Sequence, residues 1–346
     1  MRKVVFVVDG GREAGMGHVQ QAITLAEELR ERIDACFLTK SDQTVVEHIR
    51  KAGYDVHQLD CDEKMLDFIR AIHPDAVIID KIDVNEAFAR TLKEDLQVKL
   101  VIFTNLTKAS QWADVSVLAD YGSNLKNIKY LDERTNTVYF YGPKYWLLRR
   151  EFCDRKKCGR ESCGTVGEIT LLFGGSDPLN LTSVVLEELL KLDRPFGVNV
   201  ILGAHFEHKD ALNQVITSYS GAKAKVKMFK DIPNVVDLMC HSDLVITSPG
   251  LSLFEALCVG TPVIIFPQNE IQKKAYRGLL RILDKEEINN LGGMIDHLDF
   301  VRPEEEQIRE MEIGEGKQEI IDEILRLCER TRYLSGSSRR NEMSPK

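Results

Sequence analysis

Short apolar runs alternate along this chain with stretches whose apolar residues recur at helical spacing. "KVVFVVD" at 3–9 leads into an amphipathic segment from His18, and "ACFLTK" at 35–40 leads into "DQTVVEHIRKAG", which Gly53 closes. "DAVIID" at 75–80 leads into "VNEAFARTLKEDL", and "KLVIFT" follows at 99–104. Strands bounded by Gly, Asp or Pro and separated by helical segments predict a parallel sheet covered on both faces. Four such strands precede residue 105, and two weaker ones fall at "VSVLAD" and "TVYFYG".

The pattern breaks at 149–167, "RREFCDRKKCGRESCGTVG", which is basic, aperiodic and reads as a linker. It then restarts with "EITLLFGG", "GVNVILG", "AKVKMFK", "DLVITS" and "PVIIFP" as strands and helical segments between them. "GKQEIIDEILRLCERTRYL" from Gly316 is an amphipathic helix, and "SGSSRRNEMSPK" a polar tail expected to be disordered. The expected organisation is therefore a first domain at 1–148, a linker at 149–167, a second domain at 168–333 and a tail at 334–346. Two doubly wound α/β units, Rossmann-like in their alternation, imply a ligand cleft at the carboxyl ends of both sheets.

Composition narrows the function classes. With 346 residues the chain can form about two domains. Its net charge of −8 argues against a nucleic-acid surface, while leaving room for an anionic small ligand held by a local donor cluster. The apolar run after Met1-Arg2-Lys3 stops after five residues, too short for a signal peptide, and no later run approaches the roughly 18 residues of a membrane helix. Eight cysteines without a disulfide-scaffold spacing read as reduced thiols, so a cytoplasmic protein with no membrane insertion is expected.

Three stretches carry candidate chemistry. In "VVDGGREAGMGHVQQA" a strand ends in a glycine-rich loop and a helix begins, which favours anions through exposed amides and the helix dipole. The glycines, Gly15 and Gly17 among them, do not match G-x-G-x-x-G. The alternative is a tight turn with His18 as a helix cap. In "LLFGGSDPLNLT", Gly174 and Gly175 let backbone approach a ligand, and Ser176 and Asp177 offer hydrogen bonds; an ordinary βα turn is the alternative. In "VITSPGLSLFEAL", a strand ends at Ser248 and Gly250 turns the chain into a helix. There Ser252 and Glu255 either form a capping box or contact a nucleotide.

Together "GMGHVQQAITLA", "GPKYWLLRREF", "FGGSDPLNLT" and "SLFEAL" resemble the nucleotide-sugar hydrolases of the pseudaminic acid pathway (the PseG family) and the related spore-coat polysaccharide proteins (SpsG). The motifs lie in order over about residues 4–270. The resemblance implies a GT-B fold and hydrolysis of a UDP-linked amino-deoxy sugar, with no cofactor and no metal. It implies that His18 activates or orients water, and that Gly15, Gly17 and Asp80 line the sugar. Gly174 and Gly175 would approach the nucleotide, the turn of Gly250, Leu251 and Ser252 would hold the diphosphate, and Glu255 the ribose. Ser176, Asp177, Asn180 and Ser248 are further expected substrate-binding residues. The sequence departs from the hydrolases where they continue Asp-His-Tyr, here Asp80-Lys81-Ile82, and where they carry paired aspartates, here Thr104-Asn105. A glycosyltransferase on the same fold and a non-catalytic nucleotide-sugar binder are the rivals. Asp60-Cys61-Asp62 is formally D-x-D, and Cys153, Cys158 and Cys163 are evenly spaced, but neither has the setting of a metal site.

Overall fold

Val4–Val8, a run of β-branched and aromatic residues with no polar face, is at most 1% exposed throughout. Such a run can only be an inner strand covered on both sides. It is the core of β1 (Arg2–Val8) in the computed structural model, which describes all residues except 13–14, 120–125, 156–165, 231, 233–234, 277–282, 284, 296–304 and 338–346. Contacts divide the chain into two units, one of residues 1–9, 18–147 and 315–346, the other of 10–17 and 148–314.

The first unit carries α1 (Gly17–Glu28), β2 (Ile33–Thr39), α2 (Gln43–Lys51), β3 (Asp55–Gln58), α3 (Asp62–Ile72), β4 (Ala76–Asp80), α4 (Glu86–Glu94) and β5 (Lys99–Phe103). β6 (Val115–Leu118), β7 (Ile128–Asp132) and β8 (Thr137–Tyr141) complete its sheet. The strand order is β3-β2-β1-β4-β5-β6-β8-β7, parallel except for the β7–β8 pair. The order reverses between β1 and β4, so the segments leaving those two strands part at one point on the carboxyl edge. Register pairs Val8 with Asp80 there. Beneath it Val5, Val7, Ile79, Leu100 and Ile102 pack with Phe88 and Leu92 of α4.

The second unit runs α5 (Arg150–Asp154), β9 (Glu168–Leu172), α6 (Leu181–Leu190), β10 (Gly197–Leu202), α7 (Lys209–Ser218), β11 (Lys225–Lys230), α8 (Val235–His241), β12 (Leu244–Thr247), α9 (Leu251–Val259) and β13 (Val263–Ile265). α10 (Glu270–Ala275), α11 (Leu291–Ile295) and α12 (Glu305–Glu310) follow. Its all-parallel order is β11-β10-β9-β12-β13, with the reversal between β9 and β12. Leu172 pairs with Thr247 in register, so the loops carrying Gly174 and Gly250 leave the sheet side by side.

Five sequence expectations change. β3 and β7 had no apolar run to announce them: both are edge strands, with burial at a single position in β3 and none in β7 beyond half-buried Asp132. The start of the expected linker is helix α5, residues 156–165, with Cys158 and Cys163, lie outside the described residues, and Val166 at its end is buried in the core of the second unit. The closing helix α13 (Lys317–Ser337) belongs to the first unit, not the second. Gly316 N donates to Lys144 O at 2.8 Å, Arg2 donates to Leu325 O at 3.2 Å, and Lys317 pairs with Glu28 at 2.5 Å. An amphipathic pattern states that Ile320 and Ile324 are buried, not against which sheet. The first residues of the expected tail continue α13, and 338–346 lie outside the described residues. Cys36, Cys61, Cys153, Cys258 and Cys328 are free thiols, but Cys240 is disulfide-bonded, against the expectation of reduced thiols throughout. Disulfide pairing follows from which segments the fold brings together, which spacing alone did not reveal. Among the described residues no helix is long and apolar enough to cross a membrane.

Candidate functional site

In the first unit, β4 ends on Asp80, whose side chain is nearly fully buried. His18 stands in the first turn of α1, and its Nδ1 lies 2.8 Å from Asp80 Oδ1. Gln21, one turn on and on the same face, donates from Nε2 to Asp80 Oδ2 at 2.7 Å and to Thr104 Oγ1 at 3.3 Å. Both Asp80 oxygens are therefore engaged by α1, which fixes the helix against the strand end. An ionised carboxylate can only accept, so the neutral His18 ring carries its proton on Nδ1 and its lone pair on Nε2.

Thr104 completes the arrangement in a left-handed conformation, φ +53°. A β-branched residue there is strained, and such strain concentrates at functional positions. Asn105 donates to the carbonyls of Ile82 at 3.2 Å and Lys81 at 3.5 Å, tying the two departures from the hydrolase pattern to each other.

Lys81 turns to Asp9 at 2.5 Å, and Lys40 to Asp62 at 2.6 Å. Burial alone would lower the Lys40 ammonium, but the hydrogen bond and charge of Asp62 outweigh it and hold Lys40 above its ordinary value. A cavity of about 100 Å³ lies at these pairs, lined by Lys40, Asp62, Lys81, Asp83, Ile79 and Phe88 among others. Asp60 pairs with Lys64 at 2.8 Å, so the two carboxylates of the D-x-D stretch are spent on different lysines.

Gly11 and Gly15 exchange backbone hydrogen bonds at 2.9 Å, folding the glycine-rich loop back on itself, with Gly15 at φ +70°. A side chain at Gly15 or Gly17 would meet nothing within 4 Å.

In the second unit, Gly174 adopts φ +74° with open space where a side chain would stand. Ser176 is buried, and Asp177, at φ +46°, accepts from Leu181 N and Thr182 N at 2.8 Å each. Asp177 is thus committed to the start of α6, while Asn180 Oδ1 accepts from Ser183 Oγ at 2.6 Å. Gly203, which sequence reasoning passed over, leaves β10 where any side chain would collide with the carbonyls of Gly174 and Gly175.

The capping box does not form. Gly250, at φ +137°, is the N-cap of α9 and offers no side chain; Leu251 and Ser252 lie in the first turn. Ser248 Oγ donates to Phe266 O at 2.8 Å. Glu255 is 2% exposed, and its Oε1 accepts from Arg149 Nε at 2.9 Å. Burial pushes the Glu255 carboxyl above its ordinary value, and the Arg149 guanidinium opposes the rise.

Sequence reasoning named His18, Asp80 and Glu255 but missed Gln21, Arg149 and Gln268. Gln21 carried a usable signal, its spacing of three from His18. Gln268 carried none: its Nε2 bridges Phe173 O at 2.8 Å and Ser248 Oγ at 2.9 Å, joining loops that only the strand order makes neighbours.

No protein-family model matches the chain. It is 43% identical over 331 residues to an uncharacterized protein of Methanocaldococcus jannaschii, covering 93% of this chain and 66% of that relative's length. It is 28% identical over 275 residues to the spore coat polysaccharide biosynthesis protein SpsG of Bacillus subtilis, covering 76% of this chain and 77% of SpsG. The UDP-2,4-diacetamido-2,4,6-trideoxy-β-L-altropyranose hydrolase of Campylobacter jejuni is 23% identical over 262 residues, 74% of this chain and 88% of the hydrolase. Among solved structures, MurG of Acinetobacter baumannii superposes with a TM-score of 0.61 at 14% identity, covering 94% of this chain and 99% of MurG. HepE of Anabaena, in complex with UDP-glucose, gives 0.55 at 14% identity, covering 97% and 100%. At those identities the structures establish the architecture alone. The chain is a PseG- and SpsG-like protein with the GT-B fold.

Proposed function

We propose that this protein hydrolyses a UDP-linked amino-deoxy sugar, releasing UDP and the free sugar for nonulosonic (pseudaminic-type) acid or surface polysaccharide biosynthesis. The observation that carries the reading is the His18–Asp80 hydrogen bond, a base with its orienting carboxylate at the strand-order reversal of the first unit. The likeness to SpsG and to the Campylobacter hydrolase supports the substrate class, as does the UDP-glucose bound by HepE.

In this reading a water attacks the anomeric carbon as the bond to the UDP oxygen breaks, through an oxocarbenium-like transition state. His18 Nε2 takes the proton of the water, and Asp80 stabilises the imidazolium that forms. Gly15 and Gly17 let the sugar lie against backbone. The leaving diphosphate spreads its charge over the amides of Gly250, Leu251 and Ser252, where no side chain caps α9. Gly174 and Gly175, with Ser176 and Ser248, lie along the nucleotide, and Glu255 accepts from ribose hydroxyls. Asp177 anchors the start of α6 through both oxygens, and Asn180 accepts from Ser183 through Oδ1, so both hold that loop in place while Asn180 keeps its Nδ2 donors for the ligand. The amides and helix start supply the electrostatic role, so no metal or cofactor enters the scheme.

The second reading, transfer to an acceptor other than water, is favoured by the glycosyltransferases among the structural neighbours. Incubation with a panel of UDP-sugars and no acceptor, followed by phosphorus NMR, separates the readings. UDP release from sugar and water alone supports hydrolysis; release only on adding an acceptor supports transfer; binding without turnover in either case leaves a binding protein.

A further inference from the structure

Glu255 is a buried carboxylate with a single hydrogen-bond partner among the described residues. Its Oε1 accepts from Arg149, and among the described residues Glu255 makes no other hydrogen bond. Arg149 is itself held on three sides. It hydrogen-bonds Glu255 through Nε, lies 3.2 Å from Glu151 Oε1 through Nη1 as an ion pair, and sits over the Phe152 ring at 4.8 Å from the centroid. Phe152 in turn is fully buried, and its carbonyl accepts from Cys258 Sγ on α9 at 3.8 Å. Helix α5 is therefore seated on α9, and the guanidinium plane is fixed before any ligand arrives.

We propose that Arg149 is the positioning residue of the nucleotide site: it anchors one oxygen of Glu255 and leaves the other to accept from the ribose. This rests on the nucleotide reading given above. The geometry matters because Arg149 engages Oε1, and a carboxylate carries a second oxygen that can accept from a hydroxyl. Leu253, Phe254, Ala256 and Leu257, its neighbours in α9, are buried apolar residues. A hydroxyl-bearing ligand supplies the donor.

The arrangement also sets the charge of Glu255. Burial favours the protonated acid, which offers a ribose hydroxyl fewer acceptor sites, and Arg149 opposes protonation. Glu151 is the other charge acting on Glu255, and it favours the acid. On the opposite side α8 carries Asp237, which pairs with Arg155, and exposed His241, which bonds the Asp237 carbonyl. β12 and β13 carry no titratable side chain.

The test is calorimetric UDP binding at pH 6, 7 and 8 for the wild type, Arg149→Met, Arg149→Lys, Glu255→Gln and the double variants. The affinity of each variant is taken relative to wild type at the same pH, which cancels the titration of UDP itself. Loss of a charge-assisted acceptor predicts about tenfold weaker binding for Arg149→Met. That deficit is largest at pH 6 and shrinks as pH rises and Glu255 ionises. Arg149→Lys restores most of the affinity, and adding Arg149→Met to Glu255→Gln costs nothing further. Should Arg149→Met fail to fold, Arg149→Lys with and without Glu255→Gln makes the same comparison. Unchanged affinity at every pH, or losses that add to that of Glu255→Gln, overturns the positioning role while leaving the nucleotide reading intact. A wild-type protein that binds no UDP overturns both.

Discussion

His18 Nδ1 and Asp80 Oδ1 lie 2.8 Å apart, although 62 residues separate them in the chain. The aspartate is buried and the imidazole only slightly exposed, so the ring is oriented before a substrate binds. A prearranged base saves the cost of ordering it at the moment of reaction.

Replacing His18 with Asn should lower kcat by about 10²–10⁴, the usual loss on removing a general base. UDP affinity should stay within twofold, because the residues proposed for the nucleotide belong to the second unit. Steady-state rates on the UDP-sugar that turns over, set beside calorimetric UDP binding, make the check. Normal turnover would return His18 to the role of a helix cap.

Asp80→Asn should act through His18. The amide can donate to Nδ1 where the carboxylate only accepts, which selects the wrong tautomer. A drop in kcat of roughly tenfold to a hundredfold is expected, smaller than for His18→Asn, and no further loss when the two are combined. A double variant markedly slower than His18→Asn would show that Asp80 works independently.

Glu255→Ala should weaken UDP binding about tenfold or more, by loss of hydrogen bonds worth on the order of 1.5–3 kcal/mol. It should also destabilise the fold, by roughly 1–3 kcal/mol, since it removes the only hydrogen-bond acceptor described for the Arg149 guanidinium and leaves it the Glu151 ion pair. Denaturant unfolding and calorimetry must therefore be read together. Lost stability with unchanged UDP affinity would make the pair purely structural.

Asp177→Ala removes the acceptor for two amides at the start of α6. Loss of such a cap costs about 1–2 kcal/mol, which a urea titration resolves. If the residue contacts the ligand directly, the larger effect will instead appear in UDP affinity with stability unchanged.

Turnover should survive exhaustive chelation. Asp60 and Asp62 are each paired with a lysine, and the proposed diphosphate site consists of amides. Activity lost in EDTA and restored by manganese would promote those aspartates to metal ligands.

The periodicity of the chain was enough to establish two α/β units and most of their strands, because inner parallel strands must be apolar on both faces. The same logic hid β3 and β7, whose edge positions ask for no apolar run. The glycines at 174 and 250 were legible as turns, since positive φ at a strand's end leaves few alternatives to glycine. Local sequence also marked His18 and Glu255 as chemistry at helix starts, but not what would hold them. Asp80 reaches His18 because the strand order reverses between β1 and β4, and Gln268 joins two loops because it reverses between β9 and β12. Arg149 finds Glu255 across 106 residues by the seating of α5 on α9, and α13 finds the first unit and not the second. Hydrophobic spacing records that a face is buried; the partner that buries it is chosen by the order of strands and the fit of helices, and only the folded chain contains those.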